Sequence, residues 1–83
     1  MNQDPTNKDF YTCSDLSLAA LISLYYPIDV IDRTNPRKAV FFFKRSDQLD
    51  RLIEAYWRKE LQVEPQSYFS QLKTVKARLY END

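Results

Sequence analysis

The sequence predicts a small α+β domain, and three observations carry that reading. Two stretches, "DLSLAALISLYY" and "SDQLDRLIEAYWRKE", repeat apolar residues at helical spacing. Between them lie two β-rich runs, "IDVIDR" and "KAVFFFKR", around "TNPR", where Asn35-Pro36 favours turn initiation. The chain has 83 residues, enough for one domain with a thin core and too few for a second.

Residues 1–8 are polar and read as a flexible N-terminal tail, leaving 9–83 as the single domain. "FYTC" (10–13) is a short β-type segment leading into a helix near residue 15. Ser14 is the natural N-cap, and Thr12 with Asp15 offers a competing capping box. Leu18, Leu21, Ile22 and Tyr25 form the apolar stripe of that helix; Leu16, Ala19, Ala20 and Leu24 widen it until little polar surface remains. Pro27 ends it, because the residue before a proline is pushed out of the helical region.

In the hairpin, alternation puts Ile28 and Val30 on one face of the first strand and Ile31 on the other. In the second strand, Val40 and Phe42 oppose Ala39, Phe41 and Phe43. Both faces of this strand are apolar, so it is expected to be central in the sheet and covered on more than one side. Ser46 caps the next helix, which turns Leu49, Leu52, Ile53 and Tyr56 inward. Pro65, behind Glu64, opens a last helix over 65–80 with Tyr68, Leu72, Val75 and Leu79 as its core stripe. The order is β-α-β-β-α-α, a short antiparallel hairpin within a sheet of at most three strands, packed against helices.

Composition then excludes function classes. Glycine is absent, so there is no phosphate loop, dinucleotide fingerprint or nucleophile elbow, each of which needs glycine for a close backbone approach or a strained turn. Histidine is also absent and Cys13 is the lone cysteine, which removes internal disulfides and the usual zinc sites; no metal or cofactor is expected. The N-terminus lacks an apolar signal core and the longest apolar run is too short to span a membrane, so a cytoplasmic protein without membrane contact is expected.

The stretch "DFYTCSDLSLAALISLYYPIDVIDRTNPRKAVFFF", the segment "EAYWRKELQVEP" and the ending "YFSQLKTVKARLY" resemble a family of small prokaryotic and phage-associated domains of unknown function, the uncharacterised family numbered 5659. The resemblance runs from Asp9 to Tyr80. It implies a stand-alone domain and transfers no activity and no catalytic residue.

Three classes of function remain to be weighed. Catalysis would need several convergent groups. Asp29 and Asp32, three apart in a strand, point to opposite faces and cannot jointly hold a metal or a proton by strand geometry alone. Cys13 at a helix entry is either a low-pKa thiolate or, more commonly for such a residue, a small buried apolar side chain. No enzymatic activity is expected.

Nucleic-acid binding draws on a local excess of positive charge. Arg33, Arg37 and Lys38 lie at the hairpin tip and Lys44 and Arg45 at the exit of the phenylalanine strand, within a chain whose twelve basic and twelve acidic residues cancel. On the last helix Phe69, Lys73, Lys76 and Tyr80 make a stripe of alternating aromatic and basic side chains beside the core stripe. Lysines suit phosphates and rings suit unstacked bases of DNA or RNA. The competing explanation is structural: aromatics at the core's edge, lysines laid over apolar surface, and basic residues that keep sheet edges from pairing.

The sequence reading is therefore a small nucleic-acid-associated accessory protein. Its alternative is an interaction or homodimerisation module that meets a larger protein or a second copy through Trp57, Phe69 and Tyr80.

Overall fold

A computed structural model describes residues 9–80. Residues 1–8, and with them the expected tail, lie outside the described residues, as do 81–83. The elements are β1 (Phe10–Cys13), α1 (Leu16–Ser23), β2 (Val30–Asp32), β3 (Val40–Lys44), α2 (Asp47–Trp57) and α3 (Pro65–Tyr80). They form the expected α+β domain, with three antiparallel strands in the order β1-β3-β2.

β3 is central because it has the strongest strand chemistry in the chain, and its alternation decides the architecture. Phe41 and Phe43 are buried, 1% and 0% exposed. Their register partners Cys13, Tyr11 and Ile31 pack on the same core. The opposite face carries Phe42 with its partners Thr12 and Val30, then Phe10 opposite Lys44 and Asp32 opposite Val40. These side chains are half-buried or exposed, and none of them belongs to the core cluster or the apolar shell around it. The expectation that β3 is covered on both sides is thus corrected: the helices lie on one face, and Phe42 occupies the other.

α1 is the buried helix, with Leu18, Ala19, Ala20, Leu21 and Ile22 all inside. Five consecutive buried residues run right round the helix, and only Ser17 in its first turn is exposed, so the helix has almost no polar face. Two local expectations shift here. The N-cap is Asp15, whose carboxylate accepts from the Ser17 and Leu18 amides at 2.9 and 3.3 Å. One carboxylate satisfies two orphan N–H groups, where a Ser14 hydroxyl would satisfy one. The helix also closes at Ser23, before Pro27, so Tyr25 falls in the turn and is 49% exposed rather than inward. Ile28 lies outside β2 and packs on the core, so it does not share a face with Val30.

Ser46 caps α2 as expected, its hydroxyl accepting from the Leu49 amide at 3.0 Å. α2 ends at the chain's one positive-φ residue among those described, Lys59 at φ 61°. The Glu60 amide donates to Ala55 O and the Lys59 amide to Tyr56 O, the hydrogen-bond pattern of a Schellman C-cap, a position that glycine ordinarily fills. α3 spans the expected residues. Glu64 caps it by accepting from the amides of Ser67 at 2.7 Å and Gln66 at 3.2 Å, and those bonds hold its carboxyl below the usual range.

α3 packs chiefly on α1. Val75 is buried between them, the Tyr68 hydroxyl donates to Ser17 O, and Gln71 Nε2 donates to Ser23 Oγ at 2.8 Å. Among the described residues no polar or charged side chain is buried, so the core relies on apolar area at about 25 cal/mol per Å². Among the same residues no helix is long and apolar enough to cross a membrane.

Candidate nucleic-acid interface

The hairpin tip is built by two short-range side-chain bonds. The Asp32 carboxylate accepts from the Thr34 amide at 2.9 Å, and Asn35 Oδ1 accepts from the Arg37 amide at 2.9 Å. Bonds of this kind let Asp and Asn shape a turn without glycine. The Thr34 hydroxyl and amide hold the Asp32 carboxyl below its ordinary range. Lys38 N donates to Asn35 O at 3.1 Å, closing a four-residue turn with Pro36 at its second position, where fixed φ is favourable. The tip is a defined structure that presents Arg37 and Lys38 to solvent.

Arg33 joins this tip to the far end of the chain. Its guanidinium donates to the carbonyls of Leu79 at 3.1 Å and Arg78 at 3.4 Å. A cation placed on the orphan carbonyls of a helix C-terminus is favourable by hydrogen bonding and by the helix dipole. One residue of the expected phosphate-binding group therefore serves the fold, docking the last turn of α3 beside the hairpin. Between the two lies a groove of about 300 Å³ lined by Arg33, Asn35, Pro36, Arg37, Leu79 and Tyr80.

Tyr80 is 72% exposed at one wall of that groove. From it the exposed stripe Lys76, Lys73 and Phe69 runs back along α3, Phe69 being 60% exposed. At 1.5 Å per residue, Phe69 and Tyr80 are about 16 Å apart along the helix. The tip bases and the helical stripe, distant in sequence, thus form one continuous surface with Tyr80 at the junction.

The remaining predicted residues lie elsewhere. Lys44 and Arg45 are at the opposite end of β3, about 20 Å from Lys38 along the strand. Arg45 pairs with Asp50 at 3.4 Å. Trp57 is 64% exposed at the end of α2 and stands edge-on to Tyr56, 5.0 Å between ring centroids. Asn35 and Pro36, expected only as turn residues, and Leu79, expected only in the core stripe of α3, also line the groove.

A second hollow, of about 350 Å³, lies between α1, the end of α2 and the start of α3, with Leu21, Leu61, Val63, Tyr56 and Tyr68 around it. It is the seam where the α2–α3 connection packs. Burial raises the Tyr56 phenol, with a smaller contribution from Asp15. Cys13 is close to this region. Burial pushes its thiol up to about 11, and Sγ has only a long contact with Asp15 O at 3.9 Å. The thiolate alternative is corrected on that ground: burial, with the Asp15 charge adding to it, disfavours the ionised thiol of the half-buried Cys13. Among the described residues no group of His, Cys, Asp and Glu is placed to hold a metal ion.

Residues 8–81 match the family described as a domain of unknown function, DUF5659. The chain belongs to this family. No curated protein and no solved structure gave a significant match. This DUF5659 domain therefore takes its functional reading from its own surface.

Proposed function

We propose that this DUF5659 domain is a non-catalytic, nucleic-acid-associated accessory protein. Arg37 and Lys38 at the hairpin tip and Lys73 and Lys76 on α3 hold phosphates, and Tyr80 and Phe69 offer rings to unpaired bases. One observation carries this reading: Arg33 draws the end of α3 against the hairpin, so that Arg37 and the exposed Tyr80 share one groove continuous with the basic stripe. The Tyr80 ring, 72% exposed and lining the groove with Arg33 and Arg37, is open to a stacking base.

The non-catalytic part is supported by chemistry. Histidine is absent, the one thiol is held protonated near neutral pH, and the groove's titratable side chains are arginines and a tyrosine. The lone cysteine suits the reducing cytoplasm. The second reading, docking onto a protein partner or a second copy, draws on Trp57, whose exposure on α2 is unrelated to the groove.

The test compares the natural chain with Arg37→Gln/Lys73→Gln/Lys76→Gln, using fluorescence anisotropy of labelled single- and double-stranded oligonucleotides. Removing three phosphate contacts should weaken binding at low salt by at least about tenfold and flatten its salt dependence, with thermal stability unchanged. Equal affinity and equal salt dependence for both proteins would remove this surface from the proposal. A Trp57→Ala chain that loses self-association in light scattering would favour the second reading.

A further inference from the structure

The open face of the sheet is a feature that this reading leaves unused. We propose that it is the base-stacking platform of the nucleic-acid site, and that the ligand is a single strand. This rests on the reading above and names its substrate class.

The face is aromatic at its centre. Phe10 and Phe42 meet edge to face, ring centroids 6.0 Å apart at 73°. Phe42 is half-buried on the central strand, and Val30, its register partner on β2, is 48% exposed. Positive charge stands at both ends of the strand. Lys44 is in register with Phe10, and Lys38 lines a hollow of about 350 Å³ with Pro36 and Val40. The same hollow holds Asp32, an ionised carboxylate bonded by the Thr34 amide, which offsets part of the Lys38 charge at this rim. Asn35 and Pro36 line both this hollow and the Tyr80 groove on the other side of the tip, so a strand crossing the tip passes from one to the other.

Size and charge together select the occupant. Three strands about 4.8 Å apart and the five residues of β3 at about 3.3 Å each give a face on the order of 200 Å² in projection. A stable protein interface buries roughly 800 Å² per partner. A second copy would also bring Lys38 and Lys44 against the same cations. Two or three unpaired bases, by contrast, fit a face of about this size, as they do on the aromatic sheet faces of known RNA-binding modules, and their phosphates need cations at the rims. Stacked bases within a duplex cannot lie on a flat face, which sets the preference for single strands.

The experiment is an NMR titration of the full, isotopically labelled chain with a short oligodeoxythymidylate at low salt. The ring protons of Phe10 and Phe42 and the methyls of Val30 should move upfield under the ring currents of the bases, while buried Phe41 and Phe43 stay still. Phe42→Leu should lower affinity for this oligonucleotide by about fivefold or more and leave duplex binding unchanged; Phe10→Leu provides the same comparison on an edge strand. Shifts confined to Arg37, Lys73, Lys76 and Tyr80 would overturn the platform and leave the proposed function standing. Absence of binding to any oligonucleotide would overturn both. Concentration-dependent shifts of Val30 and Phe42 without ligand would assign the face to a second copy and overturn the platform.

Discussion

Three adjacent phenylalanines have different roles because successive side chains of a strand point to opposite faces. Phe41 and Phe43 are core and Phe42 is surface. Phe43→Ala should therefore cost about 3–5 kcal/mol, and Phe42→Ala markedly less, in urea unfolding of the two variants. Equal losses would mean that the open face is covered. Alternation made the division between the faces legible in "VFFFK", but not which side receives the helices. That choice is made by α1, α2 and α3 together, and no local pattern in β3 records it. Lys59 is a second residue whose role is set by backbone. It holds φ 61° at the C-cap of α2 in a chain with no glycine. The left-handed region costs an L-residue about 1–2 kcal/mol, while glycine enters it freely but loses more entropy on folding. Lys59→Gly should stabilise the domain by somewhat less than that, about 1 kcal/mol, seen as a raised thermal midpoint. An unchanged or lowered midpoint would show that the cap is not strained.

At the scale of elements, what could be read from the sequence depended on how local the determining contacts are. α3 was readable to its first residue, because Pro65 and Glu64 announce its start within a few positions. The start of α1 was legible near residue 15 but its cap was not: Ser14, or Thr12 boxed with Asp15, was expected, and Asp15 itself caps by accepting two bonds. The docking of α3 on the hairpin was not readable. It depends on Arg33 reaching carbonyls 45 and 46 residues away, a structural role that the sequence had not assigned to this residue. The Glu64 cap has a pH signature. Its carboxyl lies below the ordinary range because the Ser67 and Gln66 amides bond the charged form. A depressed pKa stabilises the fold above the unfolded-state value, and that stabilisation is lost as pH falls through the lowered one. Amide hydrogen exchange at the start of α3, corrected for its intrinsic pH dependence, should show protection falling through that acid window. Glu64→Gln should remove the pH dependence; if the natural chain and the variant lose protection alike, the cap is not the cause.

For the whole molecule, the order β1-β3-β2 places the strand richest in aromatics at the centre and all helices on one side of it. Net charge is zero, so any attraction for polyanions must come from how charge is distributed. The fold makes that distribution uneven: the hairpin tip, the end of α3 and the open sheet face adjoin one another, with Arg37, Lys38, Lys73 and Lys76 around exposed rings. The most direct measurement of this claim is the affinity of the unmodified chain for a single-stranded oligonucleotide across a series of salt concentrations. The expected result is binding that weakens as salt rises, with a log–log slope of about −2 to −3, as three or four phosphate contacts require for a single strand. Absence of binding at low salt, or an affinity indifferent to salt, would contradict the account.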